Sequence, residues 1–403
     1  MEDEGVEKLA ARLGIGSRQL RRLFVRHLGA SPIAVMKTRR LHFAKKLIDE
    51  TNLPMGQIAL AAGFGSVRRF NAAFRQTYKR TPSHIRRLPP FASGQSESEY
   101  LFRLHFRPPF DWDALLEFLA RRAIPGVESV EPDCYRRTIS LKGHSGSLGV
   151  SLDNSGQTLE VRIFFPEPRW LFEIAERLRR MFDLAADPRE IAERLVADPL
   201  LAKRVENMPG LRVPGCWDGF ELAVRAVLGQ QVSVSGARTL AGRLVRTFGT
   251  QVSTAPPLTH LFPRADVLAG ADVAVIGLTK KRAETIRALA RAVSEGRIVF
   301  SALANVEEFQ SRLGELAGIG NWTAQYIAMR ALGDPDAFPA GDLGLLRGAS
   351  LRSERELARR AEVWRPWRAY AAMHLWQGDG QLKKHAHRTS RRELRGRAVA
   401  VSG

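Results

Sequence analysis

Apolar positions fall into three regimes along the chain. From about residue 6 to residue 87 they recur at helical spacing in short runs broken by glycine. Between 100 and 165 they alternate with polar residues, and from Trp170 to Trp376 they return to the helical period, punctuated at Pro209, Pro214 and Gly215. The pattern predicts a mainly α chain with a smaller α+β domain in its middle.

The first regime contains one pattern twice, "VEKLAARLGIGSRQLRRLFVRHLG" (6–29) and "MGQIALAAGFGSVRRFNAAFRQTY" (55–78). In each copy a helix rich in small residues precedes a glycine turn and a serine, Ser17 or Ser66, able to cap the next helix. This predicts a duplicated helix-turn-helix module joined by a helix over about Pro32 to Thr51. Leu20, Leu23, Phe24, Phe70 and Phe74 take core spacing. Arg18, Arg21, Arg22, Arg68, Arg69, Asn71 and Arg75 face outward, where they can reach phosphates or base edges in a DNA groove or simply remain solvated.

"PPFASGQSESE" reads as a linker over 89–99. Strands are expected at 100–106, 137–141, 147–152 and 159–165, with "DNSG" as a hairpin turn and a helix over about Trp112 to Arg122. No chemical constellation stands out there. The resulting domains are 1–88 (helix-turn-helix module), 100–169 (small antiparallel sheet), 170–376 (all-helical) and a basic tail over 377–403.

Charge sharpens this picture. Of a net +20 over 403 residues, residues 1–90 hold 18 Lys and Arg against 6 Asp and Glu, a balance that favours a polyanion such as DNA or RNA. No apolar run approaches the roughly 20 residues that span a bilayer, and the acidic start is unlike a signal peptide, so a cytoplasmic protein without membrane partners is expected. Only Cys134 and Cys216 are present. Cysteines alone therefore supply neither a four-cysteine zinc site nor an iron–sulfur cluster, and two free thiols in a metal-free fold are expected.

The chemistry concentrates in "LAGIGNWTAQYIAMRALGDPDAFPAGD" (316–342). Gly318 and Gly320 bracket a turn that can bring backbone amides to a phosphate. Trp322, Tyr326 and Met329 follow at i, i+4 and i+7 and should share a pocket or a core. Asp342 fits a cap on "LGLLR" as well as a catalytic carboxylate, and the two roles are compatible.

With "GLRVPGCWDGFELAVRAVLGQQVS" (210–233), "GLTKKRAETIRALA" (277–290) and "AEVWRPWRAYAAMHLW" (361–376), this segment resembles the helix-hairpin-helix DNA glycosylase superfamily, and within it the alkylation-repair 3-methyladenine DNA glycosylase II family. The resemblance implies a helix-hairpin-helix fold with Asp342 as the catalytic carboxylate. It implies a base pocket of Trp322, Tyr326 and Trp376, with Gln230 beside it. The group entering the vacated base stack would come from "GQQVS", with Gln230 and Gln231 as candidates, Gln231 standing where the best-known family pattern has an apolar residue. Gly318, Ile319 and Gly320 would hold a DNA phosphate, together with a monovalent cation on the hairpin carbonyls and no other cofactor. Bifunctional relatives place a lysine nucleophile where Trp322 stands, so monofunctional chemistry without strand cleavage is expected.

Residues 3–87, ending in "YKRTPSHIRR", resemble the DNA-binding domain of AraC-type regulators. The combination is similar to Ada-like adaptive-response regulators, although the four-cysteine sensor is absent and Cys134 lies in "PDCYRR" rather than "PCHR". The expected protein is a monofunctional N-glycosylase that removes alkylated purines from double-stranded DNA. It would act as a monomer without an obligate protein partner, its AraC-type module serving regulation or tethering. The competing readings are a regulator with an inactive, damage-binding glycosylase half, and an oxidised-base glycosylase on the same fold.

Overall fold

The computed structural model describes residues 6–86, apart from 8, 12 and 52, and residues 98–377, apart from 302–304. Most of the expected linker and almost all of the basic tail lie outside the described residues.

The duplicated module comprises α1 (Ser17–Leu28), α2 (Pro32–Glu50), α3 (Met55–Ala61), α4 (Val67–Tyr78) and the single turn α5 (Pro82–Ile85). Leu20, Phe70 and Phe74 are buried, as their spacing requires. Ser66 accepts the Arg69 amide and caps α4. Ser17 does not cap: it is the first residue of α1, behind Gly16 in extended conformation, with no side-chain cap. The arginines on α1 and α4 are exposed.

The sheet domain is antiparallel throughout, in the order β1–β5–β4–β3–β2, with β1 (Glu99–His105), β2 (Glu128–Val130), β3 (Cys134–Leu141), β4 (His144–Leu152) and β5 (Thr158–Phe164). Alternation along β1 buries Tyr100, Phe102 and Leu104 on one face. The turn after β4 is held by Asp153, whose carboxylate accepts the Gln157 and Thr158 amides. The three-residue β2 was not foreseen, being too short to show an alternation. Helix α6 (Trp112–Ala120) covers the sheet, with Trp112, Leu115, Leu116 and Leu119 buried.

The module is packed on this domain as well as joined to it by chain. Phe43 of α2 meets Phe102 of β1 and Phe172 edge-on, at 6.2 and 5.2 Å between ring centroids. Glu50 accepts the Arg103 amide at 2.7 Å, and Arg39 pairs with Glu176.

The helical region runs through α7 (Leu171–Met181), α8 (Pro188–Leu195), α9 (Pro199–Asn207), α10 (Gly219–Leu228), α11 (Val234–Phe248), α12 (Ala265–Gly270), α13 (Lys280–Ser294), α14 (Val306–Gly314), α15 (Asn321–Ile327), α16 (Leu343–Gly348), α17 (Glu354–Ala361) and α18 (Arg368–Trp376). Two hydrophobic clusters divide it. One joins α10, α11, α13 and α15; the other joins α16, α17 and α18 to α7 and the sheet. Among the described residues no helix is long and apolar enough to cross a membrane. Cys134 and Cys216 are both free thiols.

A buried charge network ties the sheet to α10. Arg137 donates to Glu221 at 2.7 Å, and Arg225 donates to Glu128 and Glu221 at 2.9 and 3.0 Å. The Tyr135 hydroxyl donates to Glu128 at 2.7 Å. Burial alone would raise the Glu128 carboxyl, but Arg225 and Arg137 outweigh it and hold the group below its ordinary value. Such mutual satisfaction is what allows four charges to sit in a core.

Candidate active site

Asp342 is the N-cap of α16, its Oδ1 accepting the Gly344 and Leu345 amides at 2.8 and 3.0 Å. Two indoles converge on the same carboxylate. Trp376 Nε1 donates to Oδ1 at 2.8 Å, and Trp322 Nε1 donates to Oδ2 at 2.9 Å. Oδ1 thus takes three donors and Oδ2 one, which leaves Oδ2 as the oxygen with lone-pair capacity to spare. Capping and charge presentation are carried by one group.

The carboxylate borders a cavity of about 420 Å³ whose lining includes Trp322, Tyr326, Arg330, Trp376, Arg122 and Arg225. That volume suits a heterocycle with its attached sugar. Trp322 and Tyr326 are stacked nearly parallel, 5.5 Å between centroids and 6° apart, and Trp376 meets Tyr326 edge-on at 6.3 Å. Spacing on α15 put both rings on one face. It also put Met329 there, which is a correction: Met329 is buried in the core. The helix passes into a π-helical turn over Ala328–Leu332, and Arg330, four residues after Tyr326, lies beside it.

Arg330 donates to the Tyr326 hydroxyl at 2.7 Å and to the carbonyls of Pro214 and Gly215 at 2.7 and 3.0 Å. Burial pushes the Tyr326 phenol up, but the charges of Arg330 and Arg122 reverse the shift and lower it. Sequence reading missed Arg122, Arg225 and Arg330. The four-residue step from Tyr326 to Arg330 was the one available signal.

The hairpin follows α14. Gly318 has φ +92°, and a Cβ there would lie 2.2 Å from Thr285 Oγ1, so glycine is required on both counts. Gly320 needs no unusual backbone angle; a Cβ on it would meet nothing within 4 Å, which leaves its surface open. The structure corrects the expectation for Ile319: its side chain is in the core and its amide donates to the Leu316 carbonyl. Any contact from Ile319 to a DNA phosphate is therefore not made by these groups.

Gln230 also takes a place different from the expected one. Its amide donates to the Gly318 carbonyl and the Thr323 hydroxyl, at 2.9 and 3.0 Å, so it ties the 229–233 turn to the hairpin and does not line the cavity. Gln231 projects next to it with φ +55°, exposed, followed by the half-exposed Val232 on the cavity rim. Among the described residues no cluster of His, Cys, Asp and Glu has a metal-binding arrangement.

Three family descriptions match the chain in order: a helix-turn-helix domain over residues 9–88, the AlkA N-terminal domain over 101–218, and the HhH-GPD superfamily base excision DNA repair protein over 224–365. The second of these takes in the sheet domain from residue 101 onward. The chain is 41% identical to the probable bifunctional transcriptional activator/DNA repair enzyme AlkA of Mycobacterium tuberculosis, across 93% of this chain and 77% of the relative. It is 33% identical to DNA-3-methyladenine glycosylase 2 of Escherichia coli, across 70% of this chain and 98% of that protein. Its fold superimposes on the 3-methyladenine DNA glycosylase of Archaeoglobus fulgidus with a TM-score of 0.60 at 24% identity, covering 68% of this chain and 97% of that one.

Proposed function

The chain belongs to the AlkA family of DNA-3-methyladenine glycosylases, joined to an AraC-type helix-turn-helix module, and from that premise we propose that it excises alkylated purines through Asp342. The observation that carries the proposal is the convergence of both indole N–H groups on the Asp342 carboxylate, at the wall of a cavity with a stacked aromatic face.

Breaking an N-glycosidic bond builds positive charge on the sugar. An ionised carboxylate fixed before the reaction stabilises that charge without reorganising. Four hydrogen bonds fix Asp342, and Oδ2 retains acceptor capacity toward the cavity. The target nucleotide must first leave the duplex. Gln231, with Val232 behind it, is the group exposed to fill the gap, while Gln230 braces the turn beneath them. Within the cavity, the indole face of Trp322 offers cation–π attraction to a purine made positive by methylation, such as 3-methyladenine or 7-methylguanine, while the Tyr326 ring already carries the Arg330 guanidinium 5.5 Å from its centroid.

A DNA phosphate beyond the lesion would sit at the open face of the hairpin, against the amides of Gly318 and Gly320. A monovalent cation fits the same turn. The Leu316 and Gly318 carbonyls each accept one hydrogen bond and keep a second lone pair, so they could hold such an ion, whose charge would reinforce the phosphate contact. With Trp322 in the nucleophile position, excision proceeds without strand cleavage. The chain acts as a cytoplasmic monomer, and the exposed arginines of α1 and α4 bind duplex DNA for regulation or tethering.

The test is incubation of the full chain with methylated duplex DNA, with chromatography of the released bases and borohydride trapping in parallel. Free 3-methyladenine without a trapped adduct is expected. A borohydride-trapped protein–DNA adduct would overturn the monofunctional assignment, and no released base would overturn the excision.

A further inference from the structure

A second depression, of about 480 Å³, lies beside the base cavity and shares Arg238 with it. One wall is the segment from Ala123 to Val130 of the sheet domain; the other carries Arg238 and Arg246, two turns apart on α11, with Thr259 and His260 closing the end. The walls are fixed. The Thr259 and His260 amides both donate to the Gly126 carbonyl, at 2.8 and 3.0 Å, and the Thr138 hydroxyl donates to the His260 carbonyl at 2.7 Å. Gly242, between the two arginines, lets α11 approach Pro125, where a Cβ would already stand 3.3 Å from the ring.

The charges in this groove are unbalanced. Arg238 uses Nε to donate to the Ala123 carbonyl at 2.8 Å, which orients its guanidinium without neutralising it. The Arg246 side chain makes no hydrogen bond or ion pair among the described residues. The one carboxylate in the lining, Glu128, is committed to Tyr135, Arg225 and the Ile124 amide. Cationic groups held in a cleft without counter-charges focus the field on an incoming anion.

We propose that this groove is a second DNA-backbone subsite, taking a phosphodiester of the strand that passes the base cavity, with Arg238 spanning the two. The proposal rests on the assignment of the first cavity to the flipped nucleotide. It adds a phosphate contact away from the hairpin, supplied by Arg246, which lines only the groove, and by Arg238 at the border of the two cavities.

The test uses the full chain carrying Arg246→Gln, because Arg246 lines only the groove, and Arg246→Lys as a charge-preserving variant. Binding to unmodified duplex is titrated over a range of salt, and single-turnover excision is measured at saturating methylated duplex. For Arg246→Gln the slope of log Kd against log salt should shrink by about 0.9, the contribution of one phosphate contact. Its saturated excision rate should match wild type, and Arg246→Lys should restore the slope. A slope equal to wild type in Arg246→Gln, or a fall in the saturated rate with the slope unchanged, would overturn the subsite. Because the salt titration needs no excision, a wild type that releases no base would count against the cavity assignment and not against the groove.

Discussion

At the scale of single residues, position along a helix matters less than what a side chain meets there. His374 lies two residues before Trp376 and is 5% exposed, and its Nδ1 has no hydrogen-bond partner among the described residues. Burial first, and then the charge of Arg204, lower its imidazole from 6.5 to about 4. Because the folded value lies below the unfolded one, the stabilisation is complete above about pH 6.5 and is lost as the pH falls toward 4. Asp183 acts in the opposite sense, burial raising its carboxyl to about 6, so the raw pH profile mixes the two. Comparing wild type with His374→Gln separates them. The stability difference should shrink by up to about 3 kcal/mol between pH 7 and pH 4 in denaturant titrations. A pH-independent difference would show that His374 is not held neutral. Neither residue was legible in the sequence, since a lone histidine or aspartate gives no sign of its burial. Asp342 was legible because a glycine turn, two aromatics and a following helix bracket it in order.

At the scale of elements, the site depends on how closely α16 and α18 approach. A Cβ on Gly348 would lie 2.2 Å from the Leu375 carbonyl oxygen, and Arg204 donates to the Gly348 carbonyl at 2.7 Å across the same contact. Gly348→Ala should push α18 away and lengthen the 2.8 Å bond from Trp376 to Asp342. A Tm lower by several degrees and an excision rate at least tenfold lower are expected, measured by thermal unfolding and single-turnover kinetics. Gly314→Ala, with nothing within 4 Å of the new Cβ, is the control that should leave both unchanged or raise Tm slightly. Wild-type behaviour in Gly348→Ala would mean that the helix contact does not set the site. The helices and four of the five strands follow their hydrophobic periods. The π-helical turn at Ala328–Leu332 does not, because no residue type marks it; within it Met329 is in the core and Arg330 lines the cavity. Ser17 failed as a cap for a related reason: Gly16 already provides the extended residue ahead of α1, leaving Ser17 inside the helix.

At the scale of the whole molecule, the sequence shows three regimes but not how they are joined. The Phe43–Phe102–Phe172 contact and the Arg39–Glu176 pair fasten the helix-turn-helix module to the sheet domain, and the Glu128–Arg137–Glu221–Arg225 network fastens the sheet to α10 beside the cavity. These residues lie far apart in the chain, and each alone reads as an ordinary core aromatic or surface charge. One carboxylate remains the centre on which the assembled site converges. The most direct test is single-turnover base release from methylated duplex DNA by wild type and by Asp342→Asn, with binding to the same DNA measured alongside. The variant keeps an oxygen to accept the helix-capping amides but loses the charge. Excision should fall by at least about 10²–10³-fold with binding within a few-fold of wild type. Excision at the wild-type rate by Asp342→Asn would contradict the assignment of catalysis to this residue.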